Sequence, residues 1–346
     1  MGVIDERFMK RCFDLARLGA GTASPNPMVG AVLVYKDRII GEGFYPRDGS
    51  AHAEVRAVNS VRQEDRHLIA QSTLYVSLEP CNIHGRTPPC TNLILEERIP
   101  KVVVAATDLT PGVQGSGLER LRQAGVEVHT HVLAAEGAML SQYRNTFVAE
   151  NRPYVLLKYA QTANGFMAPA TPSPYWLTNS FSQRLVHKWR TETDAILVGG
   201  GTARIDNPML TNRLYPGRQP LRVVIDRNNS LPSSLHLFDD LHPTVVFSSH
   251  PRTATANTRW ELLDFDQPNW LLSLLQTLAT HRIAHLTIEG GSWLLQQVVD
   301  ANCWDEARVF TTPHYWKDGL LAPVLGKMPT HSSTLSTDQL TVFYNN

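Results

Sequence analysis

The 346-residue sequence is poor in cysteine, in net charge and in long apolar runs, and each shortage excludes something. Four cysteines are too few to staple a chain of this length, so a disulfide framework is excluded and a reducing, cytoplasmic setting is expected. Lys+Arg 32 balances Asp+Glu 32, which leaves no global positive field to recruit nucleic acid or an anionic membrane. No apolar run approaches the roughly 18 residues of a membrane helix. The opening "MGVIDERFMKRCFDLARLGAG" has neither the apolar core nor the cleavage site of a signal peptide. Glu6 stands where a myristoylation pattern needs Ser or Thr. The second half has no Gly-x-Gly-x-x-Gly, so a standard Rossmann domain is not indicated. What remains is an ordinary globular composition, 42% hydrophobic and 18% charged, long enough for two domains.

Phe8, Cys12, Leu15 and Ala16 share one face of an N-terminal helix. Two apolar runs around Lys36-Asp37 predict a hairpin. Helices in "HAEVRAVNSV", "CTNLILEERI" and "GSGLERLRQAG" then alternate with strands in "TLYVSLE", "KVVVAAT" and "VEVHTHV". That rhythm predicts a mostly parallel sheet with helices on its faces. A helix from Ala134 to about Val148 ends before Arg152-Pro153, which places the boundary near Glu150 and the domains at 1–150 and 151–346. The second half restarts with strands in "YVLLKYA", "DAILVG", "LRVVID", "TVVFSS", "AHLTIEG" and "EARVFTTP". Cys12 and Cys303 lie in amphipathic or apolar contexts and are expected to be buried thiols.

The remaining two cysteines stand in "EPCNIHGRTPPC". A structural loop has no use for two thiols held apart by a rigid spacer. Upstream lies "HAEVRAV", so His52, Cys81 and Cys90 supply one imidazole and two thiolates. Structural zinc sites recruit four protein ligands, whereas three leave a position for water. Zinc lowers the pKa of water to about 7 and so makes a nucleophile at neutral pH. Glu54, two residues from His52, is not needed as a ligand and is the candidate general acid–base. This is the His-x-Glu then Pro-Cys arrangement of zinc nucleobase deaminases, although those usually part the cysteines by two residues and here eight intervene. His67, His129, His131, His187, His236, His242, His250, His281 and His285 have no partner spacing and are expected at the surface or as satisfied core residues.

"PNPMVGAVLV", "HAEVRAV" and "EPCNIHGRTPPC", in that order, closely resemble the deaminase domain of the bifunctional riboflavin-biosynthesis deaminase/reductase family. The resemblance implies a cytidine-deaminase-like α/β/α sandwich whose cysteine spacer walls a pocket for a ribosylated diaminopyrimidinone phosphate. It implies that Asn26 hydrogen-bonds the base and that His84 contacts substrate. Two departures, Asn82-Ile83 for Ser-His and Asp108-Leu109-Thr110-Pro111 for Asp-Pro-Asn-Pro, are expected to touch substrate recognition rather than zinc chemistry.

In the second half, "AILVGGGTARIDNPML" and "LTIEGGSWLLQQVV" are strand–Gly–helix junctions able to cradle a pyrophosphate, with Arg190, Arg204 and Arg213 nearby in sequence. "RPYVLLKYAQTANGFMA", "WLTNSFSQRLVHKWRTETDAILVGGGTARIDNPMLTNR", "RVVID" and "IEGG" resemble the reductase domain of the same family. That implies a dihydrofolate-reductase-like α/β fold and NADPH contacts at Ala160, Trp176, Thr202, Asp206, Gly291, Ser292 and Trp293. It implies contacts to the pyrimidine ribosyl phosphate at Arg190, Leu210, Arg213 and Glu289, and a homodimer through this domain. Departures fall at Thr162-Ala163-Asn164-Gly165, Pro174-Tyr175, Arg227, Trp304 and "PHYWKDGLLAP". Two other functions share the zinc motif. A nucleoside or tRNA deaminase with an accessory domain predicts a basic groove that the balanced charge does not advertise. A zinc-stabilised binding module leaves Glu54 without a role. The reductase-like half favours a two-step enzyme using zinc and NADPH.

Overall fold

The computed structural model describes residues 5–85, 87–110, 112–171, 173 and 175–345. It divides into two compact units, Met1–Asn151 and Arg152–Asn346.

The first unit runs through α1 (Glu6–Arg17), β1 (Gly30–Tyr35), β2 (Arg38–Phe44), α2 (Ala53–Asn59), β3 (Thr73–Leu78), α3 (Cys90–Glu96), β4 (Lys101–Ala106), α4 (Ser116–Gln123), β5 (Glu127–His129) and α5 (Ala134–Glu150). The strand order is β2-β1-β3-β4-β5. This sheet is mixed rather than mostly parallel. The tight turn at Lys36-Asp37 forces β1 and β2 antiparallel, and β1 also runs against β3. Only β3, β4 and β5, joined through helices, are parallel neighbours. Alternate residues feed two cores. Leu33, Leu74, Val76, Val102 and Val104 pack with Ala57 and Val58 of α2, Ile94 of α3 and Leu121 of α4. Val32, Val34, Tyr75, Val103 and Ala105 pack with Phe8, Cys12 and Phe13 of α1 and Leu140 of α5. At about 1.5–3 kcal/mol for each buried large side chain, this alternation fixes which helix lies on which face.

Two glycines seat the helix that carries the imidazole. A Cβ on Gly43 would stand 2.4 Å from the Ala53 carbonyl, and one on Gly41 would stand 2.3 Å from the Ala57 carbonyl. "IIGEGF" therefore brings α2 into backbone contact with β2, and any larger residue would push the first turn of α2 away.

The second unit contains β6 (Tyr154–Thr162), β7 (Phe166–Pro169), α6 (Ser180–Glu192), β8 (Ala195–Gly199), α7 (Gly200–Asp206), β9 (Leu221–Ile225), β10 (Thr244–Ser248), β11 (Thr258–Leu262), α8 (Trp270–Thr280), β12 (His285–Gly290), α9 (Ser292–Asp300), β13 (Glu306–Thr312), β14 (Gly319–Leu321), β15 (His331–Leu335) and β16 (Asp338–Tyr344). Nine strands order as β11-β10-β9-β8-β12-β6-β13-β16-β15, and β14 pairs with β7 in a separate ribbon. Every pairing from β11 to β13 is parallel, while β16 and β15 add antiparallel at one edge. Leu294 and Leu295 of α9 pack on one face and Ala203 of α7 packs on the other. From β8 the chain moves outward to β9, and from β12 it moves through α9 to β13. The order therefore reverses between β8 and β12, the place where open α/β sheets bind ligands at the strands' carboxyl ends.

Cys12 is fully buried as expected. Cys303 is not: it is half-buried in the turn after α9, with Sγ 3.4 Å from the Ala301 carbonyl. The residues 1–4 that open the sequence lie outside the described residues, as do Arg86 of the cysteine spacer, Pro111 and Pro174.

Candidate active sites

In the first unit, α2 and the loop that leaves β3 meet at a cluster of soft donors. His52 caps α2 in extended conformation, and Pro89, also extended, delivers Cys90 as the first residue of α3. His52 Nδ1 lies 3.5 Å from Cys81 Sγ and 3.3 Å from Cys90 Sγ. The three ligand atoms fall within 4.8 Å of one another. Two sulfurs and one imidazole nitrogen at this spacing are the donor set of a catalytic zinc with a further position for water, so the residues fit the metal. Tyr45 meets the His52 ring edge-on, with centroids 5.6 Å apart.

The electrostatics follow from the crowding. The Cys90 hydrogen bond, with help from His52 and the Cys90 N–H, lowers the Cys81 thiol to about 4 against the opposing effect of burial. That same Cys81 partner, and then burial, push the Cys90 thiol well up. The bond to Cys81 raises His52. Glu54 is 3% exposed, and burial raises its carboxyl while His52 opposes. A buried carboxyl beside three metal donors is a group able both to take and to return a proton.

Glu79, which the sequence did not single out, holds this loop. Its carboxylate accepts the N–H groups of Gly115 at 2.9 Å, Gly117 at 3.1 Å and Asp108 at 3.3 Å. The signal was present: a carboxylate at the end of an apolar strand, two residues before the first sulfur. Asn82 braces the spacer. Its Oδ1 accepts Thr91 Oγ1 at 3.1 Å and Arg120 Nη1 at 2.9 Å, tying the spacer to α3 and α4. Asp108 Oδ1 accepts the Thr110 N–H at 2.8 Å. Asn26 Nδ2 donates to Asp48 Oδ1 at 2.8 Å and to Tyr45 Oη at 3.2 Å, so both of its N–H groups are used within the unit. His84 is exposed.

In the second unit the two glycine junctions are neighbours. Gly290 of β12 pairs with Val198 of β8, and an added Cβ on Gly291 would stand 3.0 Å from Thr202 Oγ1. Gly199–Gly201 and Gly290–Gly291 thus form one glycine-lined cradle at the reversal of strand order, a shape suited to a pyrophosphate. Thr202 borders it. Asp206 is exposed at the far end of α7, and Ala160 is half-buried on β6. Trp176 and Trp293 are 69% and 67% exposed, leaving broad apolar faces open to a ring. The Ser292 hydroxyl donates to the Leu321 carbonyl, so it is the backbone at the start of α9, not this hydroxyl, that is open to a phosphate.

Beside the cradle lies a buried ionic cluster. Arg190 pairs with Glu289 through two hydrogen bonds and also donates to the Thr211 carbonyl at 2.9 Å. Leu210 is buried with φ +53°, which turns the chain so that Thr211 meets Arg190. Arg213 is exposed and donates its N–H to His187 Nδ1 at 2.9 Å. Lys158 on β6 joins the cluster: burial lowers its ammonium, with Glu289 opposing and Arg190 adding. The sequence reading passed over Lys158, although a lone charge inside "YVLLKYA" was the available signal.

Residues 3–106 match the cytidine and deoxycytidylate deaminase zinc-binding region, and residues 153–315 match the RibD C-terminal domain. The riboflavin biosynthesis protein RibD of Aquifex aeolicus (strain VF5) is 36% identical over 331 residues, 93% of this chain and 91% of the relative. That of Synechocystis sp. is 39% identical over 278 residues, 80% and 74% of the two chains. The crystal structure of a diaminohydroxyphosphoribosylaminopyrimidine deaminase/5-amino-6-(5-phosphoribosylamino)uracil reductase from Thermotoga maritima superposes with a TM-score of 0.90 at 35% identity, covering 98% of each chain. With a zinc-binding deaminase unit, a reductase unit and relatives that run the length of the chain, the protein belongs to the RibD family, the bifunctional deaminase/reductases of riboflavin biosynthesis.

Proposed function

We propose that the first unit hydrolytically deaminates 2,5-diamino-6-(5-phosphoribosylamino)pyrimidin-4(3H)-one. The second unit then reduces the ribosyl chain with NADPH to give 5-amino-6-(5-phosphoribitylamino)uracil. The observation that carries the reading is the convergence of His52, Cys81 and Cys90 within 4.8 Å of one another, with buried Glu54 in the first turn of the helix that His52 caps. His52, Cys81 and Cys90 would hold zinc, which when bound supplies the Lewis acidity that makes water a nucleophile at neutral pH. Glu54 takes one proton of the attacking water and passes it to a ring nitrogen as the oxygen bonds to the amine-bearing carbon, then takes the remaining proton of that hydroxyl and gives it to the amine, which leaves as ammonia. Carbon–nitrogen cleavage leaves a carbonyl where the amine stood.

In the second unit the glycine cradle would seat the NADPH pyrophosphate, with Thr202 and Trp293 at its border, and NADPH when bound supplies the hydride. Arg190 and Arg213 hold the substrate's phosphate end, Glu289 fixes Arg190, and Lys158 holds the proton that accompanies the hydride. A balanced net charge and, among the described residues, no helix long and apolar enough to cross a membrane suit small-molecule work in the cytoplasm, and a homodimer through the reductase unit fits the family resemblance. The test is incubation with the diaminopyrimidinone ribosyl phosphate, with and without NADPH, following ammonia release and cofactor oxidation separately. Glu54→Gln is expected to lose ammonia release by about 10²–10⁴-fold while keeping zinc and still reducing presynthesised deaminated intermediate. Near-normal ammonia release from that variant would reject the assignment.

A further inference from the structure

Between Leu210 and Arg213 stands Asn212, a residue that neither the zinc motif nor the cofactor cradle uses. Its backbone is clamped: the Asn212 N–H donates to Gln219 Oε1 at 2.7 Å, and Gln219 Nε2 donates back to its carbonyl at 2.9 Å. Its neighbours are held by Arg190 at the Thr211 carbonyl and by His187 at the Arg213 N–H. The side chain is the exception. Asn212 is 6% exposed, yet neither Oδ1 nor Nδ2 has a hydrogen-bond partner among the described residues. Exchanging oxygen and nitrogen by an amide flip changes nothing, because both are orphaned. The amide lies close enough to the His187 ring to favour its protonated form, but no hydrogen bond of acceptable geometry joins them.

A buried carboxamide lacking both partners keeps its full desolvation cost, and native proteins rarely retain one that nothing completes. A ligand that completes it brings an acceptor for Nδ2 and a donor for Oδ1 side by side. A phosphate brings acceptors only. A cyclic lactam edge, a ring C=O beside a ring N–H, brings both and matches a carboxamide in two-point fashion, as Asn and Gln match base edges elsewhere.

We propose that Asn212 is a substrate-binding residue that reads the lactam edge of the pyrimidine in the reductase unit, while Arg190 and Arg213 take the phosphate end. This rests on the reading that the second unit reduces a pyrimidine ribosyl phosphate. Access comes with the ligand. The Arg213 guanidinium, next in sequence, is exposed, makes a long contact of 3.4 Å to Thr211 Oγ1, and can turn toward a phosphate.

Asn212→Leu in the full chain tests the assignment, because it keeps the volume and removes both orphaned atoms. The expected result is an unchanged or raised Tm, a KM for the aminouracil ribosyl phosphate raised about ten- to hundredfold, and unchanged NADPH affinity and ammonia release. Calorimetric titration with 5,6-diaminouracil and, separately, ribose 5-phosphate locates the contact: the variant should lose affinity for the ring compound and keep it for the sugar phosphate. A lowered Tm with unchanged KM would make Asn212 a structural residue and overturn the proposal. Selective loss of ribose 5-phosphate binding would overturn it equally. Should the wild type not reduce the intermediate at all, the reading of function falls, and the diaminouracil titration of wild type against variant still decides Asn212.

Discussion

Arg190 and Glu289 face each other as a two-point ion pair, Nε to Oε1 at 3.0 Å and Nη2 to Oε2 at 2.6 Å. The pair joins the last turn of α6 to the end of β12, next to the glycine cradle. Burial by itself would raise the Glu289 carboxyl, but attraction to Arg190 and Lys158 outweighs burial and holds it down to about 2. A folded pKa below the unfolded value of about 4.5 means stability that is present above pH 4.5 and is lost as pH falls toward 2.

Glu289→Ala leaves Arg190 charged, buried and without its carboxylate. Breaking a buried pair in this way costs about 3–5 kcal/mol. The variant should unfold at markedly lower denaturant and should show a flatter acid limb between pH 4.5 and 2, since the group responsible for that slope is gone. A denaturation midpoint equal to wild type would show that the pair contributes no net stability.

The zinc motif was legible in the sequence because its chemistry is compressed. Three ligand types and one carboxylate occupy two short segments, and prolines fix their helix starts. The glycine junctions were legible only singly; their union depends on β8 and β12 being sheet neighbours, although 86 residues separate the starts of Gly199–Gly201 and His285–Gly290. The edge strands β11 and β15 were missed, as was β16, which lies between β13 and β15. "HSSTL" and "DQLTVFY" are half-polar, because an antiparallel strand with one solvated face lacks the apolar run that marks a central parallel one. The bracing role of Asn82 was not legible for a different reason. That contact is made by Arg120 on α4, a partner 38 residues away that no local pattern reveals.

Cys81→Ser should lose stoichiometric zinc. Cys81 Sγ accepts the Cys90 N–H at 3.3 Å and lies 3.5 Å from His52 Nδ1, so it sits at the centre of the donor set. A serine hydroxyl at that point is a harder and far less acidic ligand than a thiolate. Elemental analysis of the purified variant checks this, and full occupancy would remove Cys81 from the ligand set.

Gly291→Val should abolish cofactor binding while sparing ammonia release. The space above Gly291 is already bounded by Thr202 Oγ1, 3.0 Å from where a Cβ would stand. A branched side chain there would displace Thr202 and fill the cradle that a pyrophosphate must enter. Titration with NADPH is the measurement, read beside the deaminase rate as an internal control. Wild-type affinity in the variant would move the pyrophosphate elsewhere.

Two buried histidines give the second unit a separate weakness in mild acid. Burial lowers His285 to about 4, with Asp194 opposing and Arg308 adding. Burial likewise lowers His187 to about 4, and Arg190 and Arg213 add to the effect. Both folded values lie below the unfolded value near 6.5, so the unfolded chain binds more protons throughout that interval. The contribution is therefore fully present above about pH 6.5 and is lost as pH falls toward 4. For His285, the difference between 6.5 and about 4 corresponds to roughly 3 kcal/mol. Tm measured from pH 7 down to pH 4.5 should fall in the wild type, before the Glu289 limb begins. His285→Gln, which cannot take up the proton, should fall less steeply over the same range. Parallel curves for the two proteins would show that His285 titrates alike in the folded and unfolded chain.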